Sequence, residues 1–424
     1  AWLLLYLVRR LGYREPLNPN EQFKKDDNPL NVRARIINIY SHRGFASIDP
    51  NDLRGRFRWW GLYTQRRPGL DGGKTATLDP AELDDEFFMM RVRTDGALLG
   101  STQLRALGEV STAYARDTAD ISDRCNIQYH WIRVEDVPTI WETLEAVGLS
   151  SQEACGDSPR PFLGSPVAGV SAEEIIDGSW ALAEIKRRFI GDPSYANLPR
   201  KFKTALTGHP SHDVAPEVND VSFVGTVHPE FGPGFDCWVG GGLSTNPMLA
   251  HKLGVWIPLA EVPDVWEGVI GIFRDYGYRR LRSRARLKFL VADWGGQRFR
   301  EVLETEYLKR PLIDCPSPEV PVRQGDHIGV HPQRDGLVYI GAAPVVGRIS
   351  GRMLTGLAGL VEEYGAQGVR LTAYQKLVVL GIDPRRAEEF VADLETIGLS
   401  ATPSNWRRNT MACTGIEFCK LAIV

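Results

Sequence analysis

The chain repeats itself at long range, and that repeat restricts its fold more than any other feature. Phe88-Met-Met-Arg91-Val-Arg-Thr-Asp95-Gly96 returns loosely as Ile328-Gly-Val-His331-Pro-Gln-Arg-Asp335-Gly336. Helix-period stretches follow, over about 101–116 and 350–364. Strand patterns come next, aligned on a shared tyrosine: Ile127-Gln128-Tyr129-His130-Trp131-Ile132 and Leu371-Thr372-Ala373-Tyr374-Gln375-Lys376-Leu377-Val378. Each copy continues through a helix (138–147 and 385–397) into Val147-Gly148-Leu149-Ser150 or Ile397-Gly398-Leu399-Ser400. Strand–helix–strand–helix is half of a ferredoxin-like unit. Two such halves in one chain predict an approximate twofold axis, with a site shared between the halves.

Between the copies, 166–320 reads as α/β. An apolar strand lies at Val221–Gly225, a glycine turn at Gly240-Gly241-Gly242, and a helix over 263–275. The run Leu281-Arg282-Ser-Arg284-Ala-Arg286-Leu-Lys288 alternates, which predicts a strand with one wholly basic face. The first 85 residues are turn-rich, with Asp26-Asp27-Asn28-Pro29 and Arg66-Arg67-Pro68-Gly69 as loops, and read as an extended arm without its own core. The fold class expected is α+β, with two pseudo-twofold-related modules. Each is a half ferredoxin-like unit plus an α/β cofactor-binding domain, the second truncated. The boundaries are an arm at 1–85, a first half-repeat at 86–160, an α/β domain at 161–322, a second half-repeat at 323–402 and the start of a second α/β domain at 403–424.

Composition removes several function classes. With 43% hydrophobic and 24% charged residues the chain reads as folded, and a net charge of −3 argues against nucleic-acid binding. The apolar start, Ala1 to Val8, meets Arg9-Arg10 far short of a membrane span and lacks the pattern of a signal peptide. Six scattered cysteines point to a reducing compartment and a cytoplasmic protein. The absence of an initiator Met and the apolar Ile423-Val424 end give the sequence the look of a fragment.

Two motifs can carry chemistry. Cys413-Thr-Gly-Ile-Glu-Phe-Cys419 pairs two thiols around a glycine. Thiolates are the usual ligands of iron–sulfur clusters, and glycine lets the backbone come close to one. Two thiolates complete only half of a cubane, and in isolation the pair also fits two core cysteines. Lys201-Phe202-Lys203, after Pro199-Arg200, turns two ammonium groups the same way and forms an anion trap. Arg91 and Arg160 are further cationic candidates. The glycine turn lacks the Lys-Ser/Thr ending of a phosphate loop, so it predicts a close approach of backbone to something bulky. The histidines show no paired metal spacing, which argues against zinc.

The stretch Arg407-Arg408-Asn409-Thr410-Met411-Ala412-Cys413 to Cys419-Lys420, with the upstream Lys201-Phe202-Lys203 and the repeats, resembles the sirohaem-dependent nitrite/sulfite reductases. It is most similar to ferredoxin-linked sulfite reductases of actinobacterial type, from about residue 12 onward. The resemblance implies sirohaem and a [4Fe–4S] cluster. Cys413 and Cys419 match the first cysteine pair, and the family's second, C-x3-C pair is absent from this sequence. It implies Arg91, Arg160, Lys201 and Lys203 as catalytic anion-binding residues. Arg124, Gln128, His130, Gln375, Arg282, Arg284, Arg286 and Lys288 match positions that hold the sirohaem carboxylates, and Gly240, Gly241 and Gly242 the place where backbone passes the macrocycle. Tyr63 and Cys155 resemble a thioether-linked pair of the sulfite branch. The implied reaction is six-electron reduction of sulfite to sulfide by a monomer with ferredoxin as electron donor. Lys203 favours it over nitrite reduction, because nitrite-type members tend to carry Lys-x-Asn. A metal-free binding protein of the same fold is the rival from another class.

Overall fold

The computed structural model describes residues 17–75, 77–322, 325–420 and 422. The apolar start and the Ile423-Val424 end lie outside the described residues. The chain divides into two compact units, both discontinuous in sequence. One takes the chain up to Asn28, Asp95–Ala97 and Gly156–Gly325; the other takes Pro29–Thr94, Leu98–Cys155 and Asp326–Val424.

Both repeats fall in the second unit. The first builds an antiparallel sheet ordered Leu62–Arg66, Asp84–Val92, Ile127–Ile132, Ala119–Ile121, Arg348–Ile349. The second builds Gly329–Pro332, Val338–Ala342, Leu377–Ile382, Gly368–Leu371. The two are in register at a constant offset of 250 residues (338 − 88). Phe88 pairs with Ile132 and Met90 with Tyr129; Val338 pairs with Ile382 and Ile340 with Val379. The ladder slips at the same place in each copy. The copies also exchange edges, with Ile349 opposite Ala119 and Leu99 opposite Val369.

Helices Ser101–Tyr114 and Gly351–Glu363 bury Leu104, Leu107 and Val110, and Leu354, Leu357 and Val361, at helical spacing. They cross almost backbone to backbone. A Cβ on Gly108 would stand 2.4 Å from Thr355 Oγ1 and 2.7 Å from the Gly351 carbonyl, so only glycine fits the crossing.

The register predicted at the front of the second copy is corrected by this pairing. Ile328–Pro332 is the counterpart of the outer strand, and Asp335-Gly336 is the turn of its hairpin. At the 250-residue offset Asp95-Gly96 meets Val345-Val346 instead. The shared tyrosine is coincidental too: Tyr129 lies within a strand, whereas Tyr374 lies in the turn before one. What the copies share there is a left-handed backbone position, held by Cys125 (φ 50°) and Gln375 (φ 59°). Alternating burial preserves such a repeat while identities drift.

The first unit holds a five-stranded sheet ordered Leu163–Gly164, Thr204–Thr207, Val221–His228, Gly232–Val239, His251–Lys252. Its first three strands are parallel, and a hairpin and an antiparallel edge complete it. Helices Ser179–Phe189, Val262–Tyr276 and Leu287–Val302 surround a core that includes Phe202, Phe223, Phe235, Trp266, Phe273 and Leu290. The indole of Trp266 donates to Thr204 Oγ1 at 2.8 Å, which removes the cost of burying its N–H.

The predicted basic strand is not a strand. Arg282–Arg284 forms one 3-10 turn, Arg286 precedes a helix, and Leu287, Leu290 and Val291 are buried along that helix. Apolar residues spaced i, i+3, i+4 outweigh the local Arg alternation. From residue 17 the N-terminal segment also differs from an extended arm. It is largely short helices, among them Pro19–Asp26 capped by Asn18 and Pro50–Arg54 capped by Asp49, and it buries Val32, Ile36, Phe57 and Trp59.

Candidate active site: a basic cluster and a cysteine-bearing segment

Strand alternation builds the cluster in the first unit. Phe202 is fully buried, so Lys201 and Lys203, its neighbours on either side, turn to the other face. Pro159 bridges Phe202, and the Arg160 amide donates to the Phe202 carbonyl at 2.8 Å. That bridge carries Arg160 to the lysines. Arg160 Nε donates to the Gly156 carbonyl at 3.0 Å, which fixes its stem. Burial first, and then the charges of Arg160, Arg286, Lys203 and Arg200, bring the pKa of Lys201 down to about 6. An ammonium so destabilised gains by meeting an anion, and near neutral pH it can also release a proton.

The Arg282–Lys288 run is occupied internally at three of its four basic positions. Arg282 forks onto Asp157 at 2.5 and 2.7 Å. Arg286 forks onto Asp220 at 2.9 and 3.3 Å. Lys288 Nζ donates to the carbonyls of Leu243 (2.8 Å) and Asn246 (2.5 Å), tying down the glycine turn. Arg284 is exposed, with its guanidinium over the Phe289 ring. The glycines meet the protein itself: a Cβ on Gly240 would lie 2.6 Å from Val291, and one on Gly241 2.3 Å from the Glu217 carbonyl.

In the second unit Arg91 lies opposite Gln128 and donates to Asn126 Oδ1 at 2.8 Å, while its buried Nε has no acceptor. Arg124 is buried in the turn before that strand. His130 Nε2 meets Asp120 Oδ2 at 2.9 Å, Asp120 Oδ1 accepts from Arg348 Nη1 at 2.5 Å, and the His130 ring stacks on Phe418 at 3.8 Å. A cavity of about 330 Å³ opens among Asp120, Gln128, Arg348, Gln375, Cys413 and Thr414. Cys413 is exposed, and its Sγ accepts from the Gly415 amide at 3.3 Å; Cys419 is half-buried. Tyr63 is half-buried on the strand Leu62–Arg66 under the Arg58 guanidinium, and Cys155 is fully buried.

The residues fit half of a cluster site. Thiolates that accept amide hydrogen bonds are the donor chemistry an iron–sulfur cluster uses. Gln375 acts beside them: its Nε2 donates to the Ala412 carbonyl at 2.7 Å, and its Oε1 accepts the Ala412 amide at 2.9 Å. This side chain thereby clamps the residue before Cys413. Gln375→Ala removes both bonds, each contributing roughly 0.5–1.5 kcal/mol. Hydrogen exchange of the Ala412 amide is expected to quicken by about tenfold or more; an unchanged rate contradicts the clamp.

Sequence reasoning missed Asp157, Asp220 and Arg348. A lone Asp before an apolar strand was the only trace of Asp220, and Asp157 stood unremarked between Gly156 and Ser158.

Comparison with known proteins agrees with this organisation. Residues 155–312 match the nitrite and sulphite reductase 4Fe-4S domain, and residues 81–147 and 331–397 each match the nitrite/sulfite reductase ferredoxin-like half domain. The two half-domain ranges carry the same 250-residue offset (331 − 81) as the strand register. A relative named sulfite reductase [ferredoxin] 2, from Mycolicibacterium paratuberculosis, is 61% identical over 412 residues, covering 97% of this chain and 74% of its own. A protein named assimilatory ferredoxin-dependent nitrite reductase, from Haloferax mediterranei, is 33% identical, covering 95% of this chain and 71% of its own. The solved structure of the Mycobacterium tuberculosis NirA protein superposes with a TM-score of 0.95 at 59% identity, over 98% of this chain and 76% of that one. The half-domain repeat, the 4Fe-4S domain match and the similarity to these relatives over nearly all of this chain make it a member of the nitrite and sulphite reductase family.

Proposed function

We propose that the protein reduces sulfite to sulfide, taking six electrons from ferredoxin at a sirohaem coupled to a [4Fe–4S] cluster. The observation that carries the reading is the cluster of Arg160, Lys201 and Lys203, with Lys201 held at a pKa of about 6. Sulfite is a small dianion whose oxygens must leave as water, so it needs cations to hold it and acids to protonate it. Lys203 and Arg160 supply the fixed positive charge. Lys201 Nζ, mostly unprotonated at pH 7 without an anion beside it, takes up a proton as the anion arrives and can pass that proton on. Arg91 is a further cationic candidate carried by the family resemblance. Cys413 and Cys419 would hold the cluster, and Arg124 and Gln128 are suited to the sirohaem carboxylates. Those two groups, when bound, would relay the electrons from ferredoxin to the anion. Gln375 fixes the segment that presents Cys413, and His130 with Asp120 steadies Phe418 next to Cys419.

Sulfite is favoured over nitrite by the 61% identity to a protein named as a sulfite reductase, against 33% to one named as a nitrite reductase, and by Lys203. The working form in this reading is a cytoplasmic monomer, with Tyr63 and Cys155 joined by a thioether. Among the described residues no helix is long and apolar enough to cross a membrane. Steady-state rates of the full-length holoenzyme with reduced ferredoxin test the substrate. A kcat/KM for sulfite above that for nitrite is expected, and the reverse order would make nitrite the substrate.

A further inference from the structure

We propose that Asp220 is a positioning residue for the anion site, a buried carboxylate that fixes the Lys201-Phe202-Lys203 loop and neutralises Arg286 beside it. The inference rests on reading that loop as the anion site. Asp220 is fully buried just before the strand Val221–His228. Its Oδ2 accepts the Lys203 amide at 2.8 Å and Arg286 Nη2 at 2.9 Å, and its Oδ1 accepts Arg286 Nε at 3.3 Å. Its own carbonyl accepts the Gly240 amide at 2.9 Å. One residue therefore joins three segments singled out in the sequence: the Lys-x-Lys loop, the glycine turn and the Arg282–Lys288 run. Gly242 lies beside this pair, and a Cβ there would be 3.0 Å from Arg286 Nη2.

The electrostatic consequence follows from the neighbours of Lys201. Arg160, Arg200, Lys203 and Arg286 all act on it as like charges. Asp220 is bound to Arg286, while Asp157 is bound to Arg282 and Lys24. Within this group the Asp220 carboxylate offsets Arg286. Without it, Arg286 presses fully on Lys201 and drives that ammonium to lose its proton at lower pH. Without Arg286, Lys201 holds its proton to higher pH.

The test is the pH dependence of sulfite affinity in the full-length holoenzyme. The alkaline limb, where Lys201 loses its proton, is followed in Asp220→Asn, Arg286→Gln and the double variant. Sulfite's own titration is common to all of them and cancels in the comparison. Asp220→Asn should move the limb to lower pH by at least about half a unit and Arg286→Gln should move it to higher pH. The double variant, whose pair is again neutral, should return near the parent. Opposite shifts with restoration support the inference. Shifts in one direction, no shift, or no restoration overturn it, since loss of mere packing would not reverse sign with charge. If Asp220→Asn does not fold, Arg286→Gln and the double variant decide it. A limb in Lys201→Ala that stays at the parent's position would instead overturn the anion-site reading itself.

Discussion

Lys203→Ala in the full-length holoenzyme is expected to lower sulfite turnover roughly ten- to a hundredfold with the fold intact. The change removes one charge-assisted contact to the bound anion, which contributes about 1.5–3 kcal/mol. The fold should hold because the loop's anchor is the Lys203 backbone amide on Asp220, at 2.8 Å, and that bond survives the substitution. Lys203→Asn should cost nitrite reduction less than sulfite reduction, since nitrite carries one negative charge against the dianion's two. Rates with both anions, beside cofactor content and thermal melting, check this. Equal losses would leave Lys203 a general anion contact and remove its share of the argument for sulfite.

Asp157→Ala should have the largest effect on stability. Asp157 is buried and accepts from Arg282 at 2.5 and 2.7 Å, and Lys24, whose side chain is wholly buried, lies 3.3 Å away. Removing the carboxylate leaves Lys24, among the described residues, with Glu21 at 2.6 Å as its acidic partner, and takes two bonds from the Arg282 guanidinium. Breaking a buried pair in this way costs about 3–5 kcal/mol, measurable by denaturant unfolding. The pH dependence has a definite sign. Burial lowers the folded-state pKa of Lys24 below its usual 10.5, against the pull of Asp157 and Glu21. Between the two pKa values the unfolded chain binds more protons, so stability rises with pH across that window. Asp157→Ala lowers the folded pKa further and widens the window. The variant's deficit should therefore shrink as pH rises toward 10.5, and a deficit that grows there would contradict this account.

Features written in local patterns were legible in the sequence. The paired helices showed through their spacing of leucines, and the clustering of Lys201 and Lys203 on either side of the buried Phe202 through the Lys-x-Lys alternation. Strand register was not, because it is kept by alternating burial and turn geometry. Matching letters instead aligned Asp95-Gly96 with a hairpin turn and Tyr129 with Tyr374. The run from Arg282 to Lys288 misled for a related reason. Its alternating arginines suggest a strand, yet the helix is set by Leu287, Leu290 and Val291, only part of which overlaps that run. Asp157 and Asp220 escaped notice because their meaning lies in partners far away in sequence, Arg282 and Arg286. A buried carboxylate that answers a distant arginine carries no local signature.

The central claim, that this is a ferredoxin-dependent sulfite reductase, is tested most directly by anaerobic turnover of the full-length protein with reduced ferredoxin and sulfite, counting electrons and sulfide. The account predicts a coloured protein with the Soret and visible bands of an isobacteriochlorin, and six electrons consumed per sulfide formed. A protein that stays colourless after reconstitution with sirohaem and iron, or a coloured one that forms no sulfide, would contradict it.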